Sequence, residues 1–264
     1  LLTKKAFSME YKKSTGDTTK NYILNKIKTI FPYLLFSFIM GFIVTNIYSN
    51  YTKSENINSI FDLLFMNCSG MNYNSMVPIA WYLSAMLIAD LIIFPLIYKY
   101  KENYIYIFCP IAIFFLAGYI SHNYGELTKV QNWMGITTVG TLRGMFSINI
   151  GVLTYTISEK IKKMNFTTFG KALLTIIATT GFISIFFIIQ AKNAHAKYDF
   201  IMVIIMAISI MLAFSEKIVL LNFLNNKFVY YLEKLSLPIF LNQHWILTAM
   251  NNIINNNGYS RNFY

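Results

Sequence analysis

The residues with the clearest chemical potential lie in one apolar stretch, TLRGMFSINIGVLTYTIS, residues 141–158. On a helix, its polar and small residues recur every three or four positions and therefore share one face; they are Arg143, Ser147, Gly151, Thr154 and Ser158. If the stretch crosses a membrane, an arginine there is costly unless it meets water, a partner or an anionic ligand. Two interpretations stay open. Arg143 either extends from the interface to the lipid headgroups or faces a polar cavity between helices.

A second candidate group occurs in AWYLSAMLIAD, residues 80–90. Asp90 lies in the middle of this apolar run, where a carboxylate is rare and expensive in a membrane. Because each helical residue turns about 100°, Asp90 and Trp81 point in opposite directions and cannot share one small pocket. Trp81 also fits an aromatic belt at the membrane interface. Asp90 is therefore either protonated or paired with a polar group on a neighbouring helix.

A third polar cluster, Asn242, Gln243 and His244, interrupts the apolar run of residues 235–254. Three consecutive residues spread over different helix faces, so they cannot all serve one site. We expect His244 to face the protein interior, because lipid offers an imidazole no hydrogen-bonding partner. There it would hydrogen-bond a hydroxyl, relay a proton or orient a neighbour. The histidines show no metal-ligand spacing, so no metal is expected.

The composition places these residues in a membrane protein. Hydrophobic residues make up 56% of the 264 and charged residues 12%, and the mean hydropathy is +0.48; a soluble domain carries about 25% charged residues. The apolar residues form blocks of about twenty, the length that crosses a bilayer. We therefore predict an all-α, polytopic membrane helical bundle, with residues 1–264 forming one domain.

About seven spans are predicted. Residues 1–28 form a basic approach segment on the cytoplasmic side, with an interfacial helix capped by Asp17. The sixth span is short for a full crossing unless its ends extend into the flanking residues. The predicted spans are 29–48, 79–98, 104–121, 141–158, 172–190, 200–214 and 235–254.

The distribution of charge gives an orientation. The net charge is +11, but the lysines lie in alternate loops, which argues for the positive-inside pattern and against nucleic-acid binding. With the spans above, sixteen lysines fall on one side and five basic residues on the other, with Arg143 at the edge of the second side. The prediction is a plasma-membrane protein with its N-terminus in the cytoplasm and its C-terminus outside.

Four segments, taken in order, resemble the membrane acyltransferase-3 family, whose members O-acylate sugars and polysaccharides. They are NYILNKIKTIFPYLL (21–35), WYLS (81–84), LRGMFSINIG (142–151) and LSLPIFLNQHWI (235–246). The third carries the family's spaced Arg, Phe and Gly in Arg143, Phe146 and Gly151. The chain departs from the family pattern at Met86, where many members have glutamate, and at Phe240, where tyrosine is usual.

The resemblance implies transfer of an acyl group, with acetyl favoured, from acyl-CoA to a hydroxyl of a cell-envelope carbohydrate. It implies that Arg143 and His244 take catalytic roles and that Lys26 and Lys28 bind the donor. Acyl-CoA is then a donor substrate, and no bound cofactor is expected. The remaining site residues are predicted to bind substrate, and they are Trp81, Ser84, Asp90, Ser147 and Asn242.

The family's signature, an arginine followed ten residues later by the histidine assigned to catalysis, does not occur in these 264 residues. Since the sequence opens with Leu1-Leu2-Thr3, we expect a fragment that lacks the first spans and does not catalyse alone. Two other hypotheses stay open. One is a transporter or flippase of a glycan or lipid-linked sugar, although no internal repeat supports it. The other is a non-catalytic remnant of the acyltransferase.

Overall fold

A computed structural model describes residues 2–8, 14–48, 51–71, 74–191, 195–219 and 226–256. Those residues form helices and loops and contain no strand; one antiparallel bridge joins Trp133 and Thr138. The all-α prediction is confirmed. The helices are α1 (Leu2–Ser8), α2 (Thr15–Tyr48), α3 (Lys53–Asn58), α4 (Trp81–Asn103), α5 (Cys109–Tyr124), α6 (Val139–Lys163), α7 (Thr168–Gln190), α8 (His195–Phe214) and α9 (Lys227–Asn256).

Each of the seven predicted spans coincides with one of the longer helices, α2 and α4 to α9. Among the residues that the structure describes, three continuous stretches are long and apolar enough to cross a membrane, namely Thr15–Tyr48, Pro78–Tyr124 and Thr168–Gln190. Tyr198–Phe214 is a shorter apolar helix. The second stretch has 47 residues, roughly twice the length that a bilayer core requires. It is interrupted at Lys101, whose backbone is not helical (φ 41°, ψ −109°), and this break separates the second predicted span from the third.

The start of α2 differs from the prediction. Its 34 residues are one helix, so the predicted interfacial helix and the first span are continuous. Asp17 lies within the first turn of this helix and not at its cap, although a carboxylate there still interacts favourably with the helix dipole. Lys12 and Lys13 of the predicted basic segment lie outside the described residues.

The helices pack around α4, which contacts α1, α2 and α6. Phe94 of α4 is fully buried, and its ring stacks on Tyr22 of α2 at 4.2 Å between centroids. Helix α6 also contacts α5 and α8, α7 contacts α8, and α9 contacts α2. Helices α4 and α6 therefore form the centre of the bundle.

At the end of α6, Lys162 forms an ion pair with Glu216, and that carboxylate raises the pKa of Lys162.

The outer surfaces of several helices are strongly apolar. On α7, Phe186 and Phe187 are 61% and 65% exposed, and on α5, Phe114 is 75% exposed. An apolar surface of this extent indicates contact with a membrane rather than with water. The structure therefore agrees with the expectation of a membrane protein.

Two loops cover the end of the bundle at which α4 and α6 begin. The carboxylate of Asp62 accepts four hydrogen bonds, from Asn67, from the Ser75 hydroxyl and from the backbone N–H groups of Met76 and Val77. The loop is thus folded around one buried acidic side chain. The carbonyl of Cys68 in turn accepts the hydroxyl of Thr137 at 2.9 Å, which joins this loop to the one before α6.

Candidate functional site

The polar face predicted for α6 lines a cavity. Arg143, Ser147, Gly151 and Thr154 lie along one side of a space of about 410 Å³, which we call the arginine cavity. Its other walls come from α7, from α8 and from Leu127 and Thr128 before α6. These four residues therefore share a face as the spacing predicts, and of the two interpretations of Arg143 the structure supports the one that places it at a cavity between helices.

Arg143 is held by contacts on two sides. Its Nη1 donates a hydrogen bond to the carbonyl oxygen of Leu127 at 2.8 Å, and the N–H of Leu127 donates to Asp199 Oδ2 at 2.8 Å. The guanidinium also lies over the Trp81 ring, 5.3 Å from its centroid, in a cation–π contact. Because both neighbours come from the bundle, the arginine is fixed in position before any ligand binds.

A second cavity, of about 580 Å³, lies between α1, α2, α4 and α6. We call it the lysine cavity, since Lys5 and Lys26 line it together with Asp90. Lys26 forms an ion pair with Asp90, and the Tyr22 hydroxyl donates to Asp90 Oδ2 at 3.3 Å. Asp90 is therefore paired with a neighbouring helix, one of the two alternatives left open by the sequence. Two ammonium groups against one carboxylate leave this cavity positive.

The two cavities share part of their walls. Ser147 and Gly151 line both of them, and Ser147 also lines a smaller cavity of about 270 Å³ beside Trp81 and Phe240. A Cβ added at Gly151 would meet no atom within 4 Å, so the glycine leaves space where the cavities adjoin. Along α6, the arginine cavity is lined from Arg143 to Thr154 and the lysine cavity from Ser147 to Tyr155, so the two overlap along most of their length on this helix.

The three predicted substrate-binding residues of α4 have different surroundings. Trp81 and Asp90 lie on different sides of the helix, as predicted: Trp81 contacts Arg143, whereas Asp90 contacts Lys26. Ser84 is fully buried, and its hydroxyl accepts the N–H of Cys68 at 3.2 Å. That contact gives Ser84 a structural role in holding the loop that contains Cys68.

The two proposed donor-binding lysines are separated. Lys26 lines the lysine cavity, whereas Lys28 is exposed on another face of α2. Two residues along a helix correspond to a rotation of about 200°, so side chains at this spacing point in nearly opposite directions. Lys5 of α1 takes the place beside Lys26 that the sequence suggested for Lys28, and it lies 5.2 Å from the Tyr22 ring centroid.

The residues of α9 lie at the edge of this arrangement. Asn242 is satisfied within its own helix, since it donates to the carbonyl of Pro238 and accepts Trp245 Nε1 at 2.7 Å. His244 is partly buried, and it follows Phe240 by one turn. The Phe240 ring lines the smallest of the three cavities with Arg143. His244 thus lies next to the site without lining these cavities.

Sequence reasoning missed Tyr22, Lys5 and Asp199. The position of Tyr22 beside Lys26 could have been predicted, because Tyr22 precedes Lys26 by four residues on one helix and the two share a face. In the structure that face meets Asp90. Asp199 was assigned to the loop before the sixth span, but it is buried in the first turns of α8 and holds Leu127. Among the described residues, no group of three histidine, cysteine, aspartate or glutamate side chains is placed to hold a metal ion.

Comparison with known protein families gives a match over nearly the whole chain. The family model is described as an acyltransferase domain, that of the acyltransferase-3 family, and it covers residues 6–263. No curated protein and no solved structure matches.

Proposed function

The chain belongs to the acyltransferase-3 family, and from that premise we propose that this membrane acyltransferase moves an acyl group from acyl-CoA to a hydroxyl of a cell-envelope carbohydrate. Acetyl is the acyl group that the sequence favours. The acyltransferase function follows from the family. The donor, the acceptor and the O-acyl product are the parts that we propose.

The observation that carries the proposal is the meeting of two cavities at Ser147 and Gly151. The lysine cavity provides positive charge from Lys5 and Lys26 at the end of the bundle predicted to face the cytoplasm. Ammonium groups there would attract the phosphates of CoA. The polar residues of the arginine cavity, Arg143 and Asp199, lie in the first turns of α6 and α8, towards the other end of the bundle, where an envelope carbohydrate would be found. Donor and acceptor would therefore approach from opposite ends and meet along α6.

The reaction requires little beyond correct placement of the two substrates. The oxygen of the acceptor hydroxyl attacks the thioester carbonyl, the C–O bond forms and the C–S bond breaks. The hydroxyl proton passes to a general base, and the departing sulfur ends as the CoA thiol. Donors that stabilise the developing oxyanion supply a large part of such catalysis. Held by Leu127 and Trp81, Arg143 would provide a fixed positive charge of this kind.

The other residues have supporting roles in this proposal. Lys26, which is paired with Asp90, would form the wall against which the donor lies, and Ser147 would contact substrate where the cavities adjoin. Trp81 would orient Arg143 and contact the acceptor. His244 would orient a group from α9, one turn beyond Phe240. Lys28 and Asn242 have weaker support, because one faces outward and the other is bonded within α9.

The test is acyl transfer by the full chain, meaning the protein translated from the complete reading frame with any residues encoded before Leu1, in phospholipid nanodiscs. Radiolabelled acetyl-CoA and envelope glycan are the substrates, and the product is identified by mass spectrometry. We expect Arg143→Ala to lower kcat/KM by about 100-fold, as loss of a preorganised oxyanion donor does. Arg143→Lys should recover little, because an ammonium cannot reproduce the contacts of a guanidinium. Lys163→Ala, at an exposed lysine near the end of the same helix, is the matched control.

Full activity of Arg143→Ala would remove the arginine from the mechanism. No transfer by the unaltered protein from any acyl-CoA would overturn the proposed reaction. Movement of a lipid-linked sugar between the leaflets of a vesicle, without acylation, would favour the transporter instead.

A further inference from the structure

The arginine cavity is polar at one end and apolar along the rest. Arg143 is the fifth residue of α6 and Asp199 the fifth residue of α8, and both bind Leu127, so the polar groups lie at the same level. From there the wall formed by α8 is entirely apolar: it consists of Met202, Val203, Met206, Ala207 and Ile210. A cavity of this kind complements an amphiphile with one polar end and one hydrocarbon chain.

The apolar part is long enough for a chain. From Asp199 to Ile210, α8 rises by about 16 Å, roughly half of the hydrocarbon core of a bilayer. Ile185 and Ile189 of α7 close another side. Methionine side chains adapt to chains of different shape, and two of them line this wall.

The polar end is close to neutral in charge. It presents the guanidinium of Arg143, the carboxylate of Asp199 and the hydroxyl of Thr128. An anionic headgroup would meet Asp199 and a cationic one would meet Arg143. A sugar, in contrast, carries hydroxyl groups that both donate and accept, and each of the three side chains can bind one. Of the five N–H groups of Arg143, the structure shows one bonded, to Leu127.

We propose that the arginine cavity binds the acceptor as a glycolipid, with the sugar at Arg143, Asp199 and Thr128 and the hydrocarbon chain along α8. This inference rests on the proposed function for the statement that the bound sugar is the acceptor. It adds that the acceptor is lipid-linked and enters from the bilayer, not as a free polysaccharide. The sugar then lies next to Ser147, where the lysine cavity adjoins.

Binding is tested first, without any acyl donor. The full chain in phospholipid nanodiscs is irradiated with a dodecyl maltoside that carries a diazirine in its alkyl chain, and the crosslinked peptides are identified by mass spectrometry. We expect crosslinks in residues 199–210, suppressed by excess dodecyl maltoside but not by maltose or dodecylphosphocholine. Equal suppression by dodecylphosphocholine would show an ordinary lipid site, and equal suppression by maltose would show that the chain plays no part. Crosslinks confined to the exposed faces of α5 and α7 would also overturn the proposal.

A matched pair of variants locates the site. Ala207 is partly buried and lines the cavity, whereas Ala172 is exposed on α7. Ala207→Phe should fill the apolar wall and weaken dodecyl maltoside binding at least tenfold, while Ala172→Phe leaves it unchanged. If Ala207→Phe unfolds at a lower temperature than the parent, Ala207→Val gives a smaller obstruction and should give a smaller loss. Equal binding by the parent, Ala207→Val and Ala207→Phe would place the glycolipid elsewhere.

The transfer reaction is measured separately, with acetyl-CoA as donor and either dodecyl maltoside or maltose as acceptor. Acylation of dodecyl maltoside with a kcat/KM at least tenfold above that of maltose is expected. Specific crosslinking without transfer from any acyl-CoA would leave the glycolipid site standing and overturn the proposed acyl transfer. Transfer to maltose and dodecyl maltoside at equal rates would support the proposed acyl transfer and overturn the glycolipid acceptor.

Discussion

At the scale of single residues, the pairing of Lys26 with Asp90 is the most informative contact. The side chain of Asp90 is 1% exposed and that of Lys26 is 25% exposed, so the carboxylate is deeply buried and the ammonium reaches the cavity. A buried ion pair adds little net stability, because desolvation offsets the attraction, but removal of one partner leaves an uncompensated charge. The pair therefore fixes α2 against α4 and places a cation in the wall of the lysine cavity.

Replacement of Lys26 by methionine should destabilise the protein. Asp90 would lose the ammonium of Lys26 and keep the hydrogen bond from the Tyr22 hydroxyl. The free energy of unfolding should fall by about 2–4 kcal/mol, near the lower end of the range for fully buried pairs because Lys26 is partly exposed. The measurement is the thermal unfolding of the purified protein in detergent, compared with the same substitution at the exposed Lys28.

The double variant Lys26→Met/Asp90→Leu separates charge from packing. It should recover most of the lost stability, because no buried charge remains. Its affinity for acyl-CoA should stay low, since the cavity has lost the lysine. A double variant as unstable as Lys26→Met would show that the pair acts through its shape and not through its charge.

How far single residues were predictable depended on the distance of their partners along the chain. The expense of a carboxylate in a span identified Asp90, but the sequence left its partner open, because Lys26 lies 64 positions away. The spacing within α6 predicted the shared face of Arg143, Ser147, Gly151 and Thr154, because helical periodicity is a local property. For His244 the argument from solvation predicted an interior position, whereas the structure has it partly buried and outside the three cavities.

At the scale of elements, the close approach of α4 and α6 depends on a glycine. A Cβ at Gly144 would lie 2.9 Å from the Cβ of Ala85 and 3.1 Å from its carbonyl oxygen, which is tighter than side chains allow. Small residues at such positions let helix backbones come together within membranes. The approach brings the face that carries Arg143 next to Trp81.

Gly144→Val should force the two helices apart. We expect the free energy of unfolding to fall by about 1–3 kcal/mol, the usual cost of an overpacked contact, and kcat/KM to fall with it because Arg143 moves away from Trp81. Thermal unfolding and the acetyl-transfer assay measure the two effects. Gly151→Ala is the matched control: its added Cβ meets no atom within 4 Å, so stability should be unchanged or slightly higher. Equal losses in both variants would show that helix flexibility, and not the contact with Ala85, is what Gly144 provides.

The elements themselves were largely predictable, and the loops were not. Apolar blocks of span length located α2 and α4 to α9, because the bilayer sets both the length and the hydropathy of a crossing. The continuity of α2 through residue 28 was missed, since a change from polar to apolar composition does not end a helix. The role of Asp62 was hidden as well, because its four partners are loop residues that lie 5 to 15 positions away.

At the scale of the whole molecule, the cavities arise from packing that no local pattern specifies. The arginine cavity needs α6, α7 and α8 together, and the lysine cavity needs α1, α2, α4 and α6. Sequence periodicity predicted one wall of the arginine cavity, and the cost of a carboxylate in a span singled out Asp90 in the lysine cavity without its partner. The remaining walls depend on which helices are neighbours, and neighbouring positions in a membrane bundle are set by side-chain packing between distant segments.

The same arrangement gives the molecule two distinct ends, and the proposed reaction requires a particular orientation. Sixteen lysines on the side that holds the end of α6, against five basic residues on the other side, predict that the lysine cavity faces the cytoplasm. The proposed donor, acyl-CoA, would have to reach it from that side. Ile136, before α6, and Met164, after it, are 89% and 53% exposed. Both positions are therefore open to a reagent from their own side of the membrane.

Cysteines at these two positions test the orientation. Ile136→Cys should react with a membrane-impermeant maleimide in intact cells, and Met164→Cys only after the membrane is permeabilised. The native Cys68 and Cys109 are buried and should give little background, which the parent protein measures directly. The opposite labelling pattern would place Lys5 and Lys26 on the outer side. Acyl-CoA would then have no route to the lysine cavity, and the donor would have to reach α6 from the end that carries Arg143.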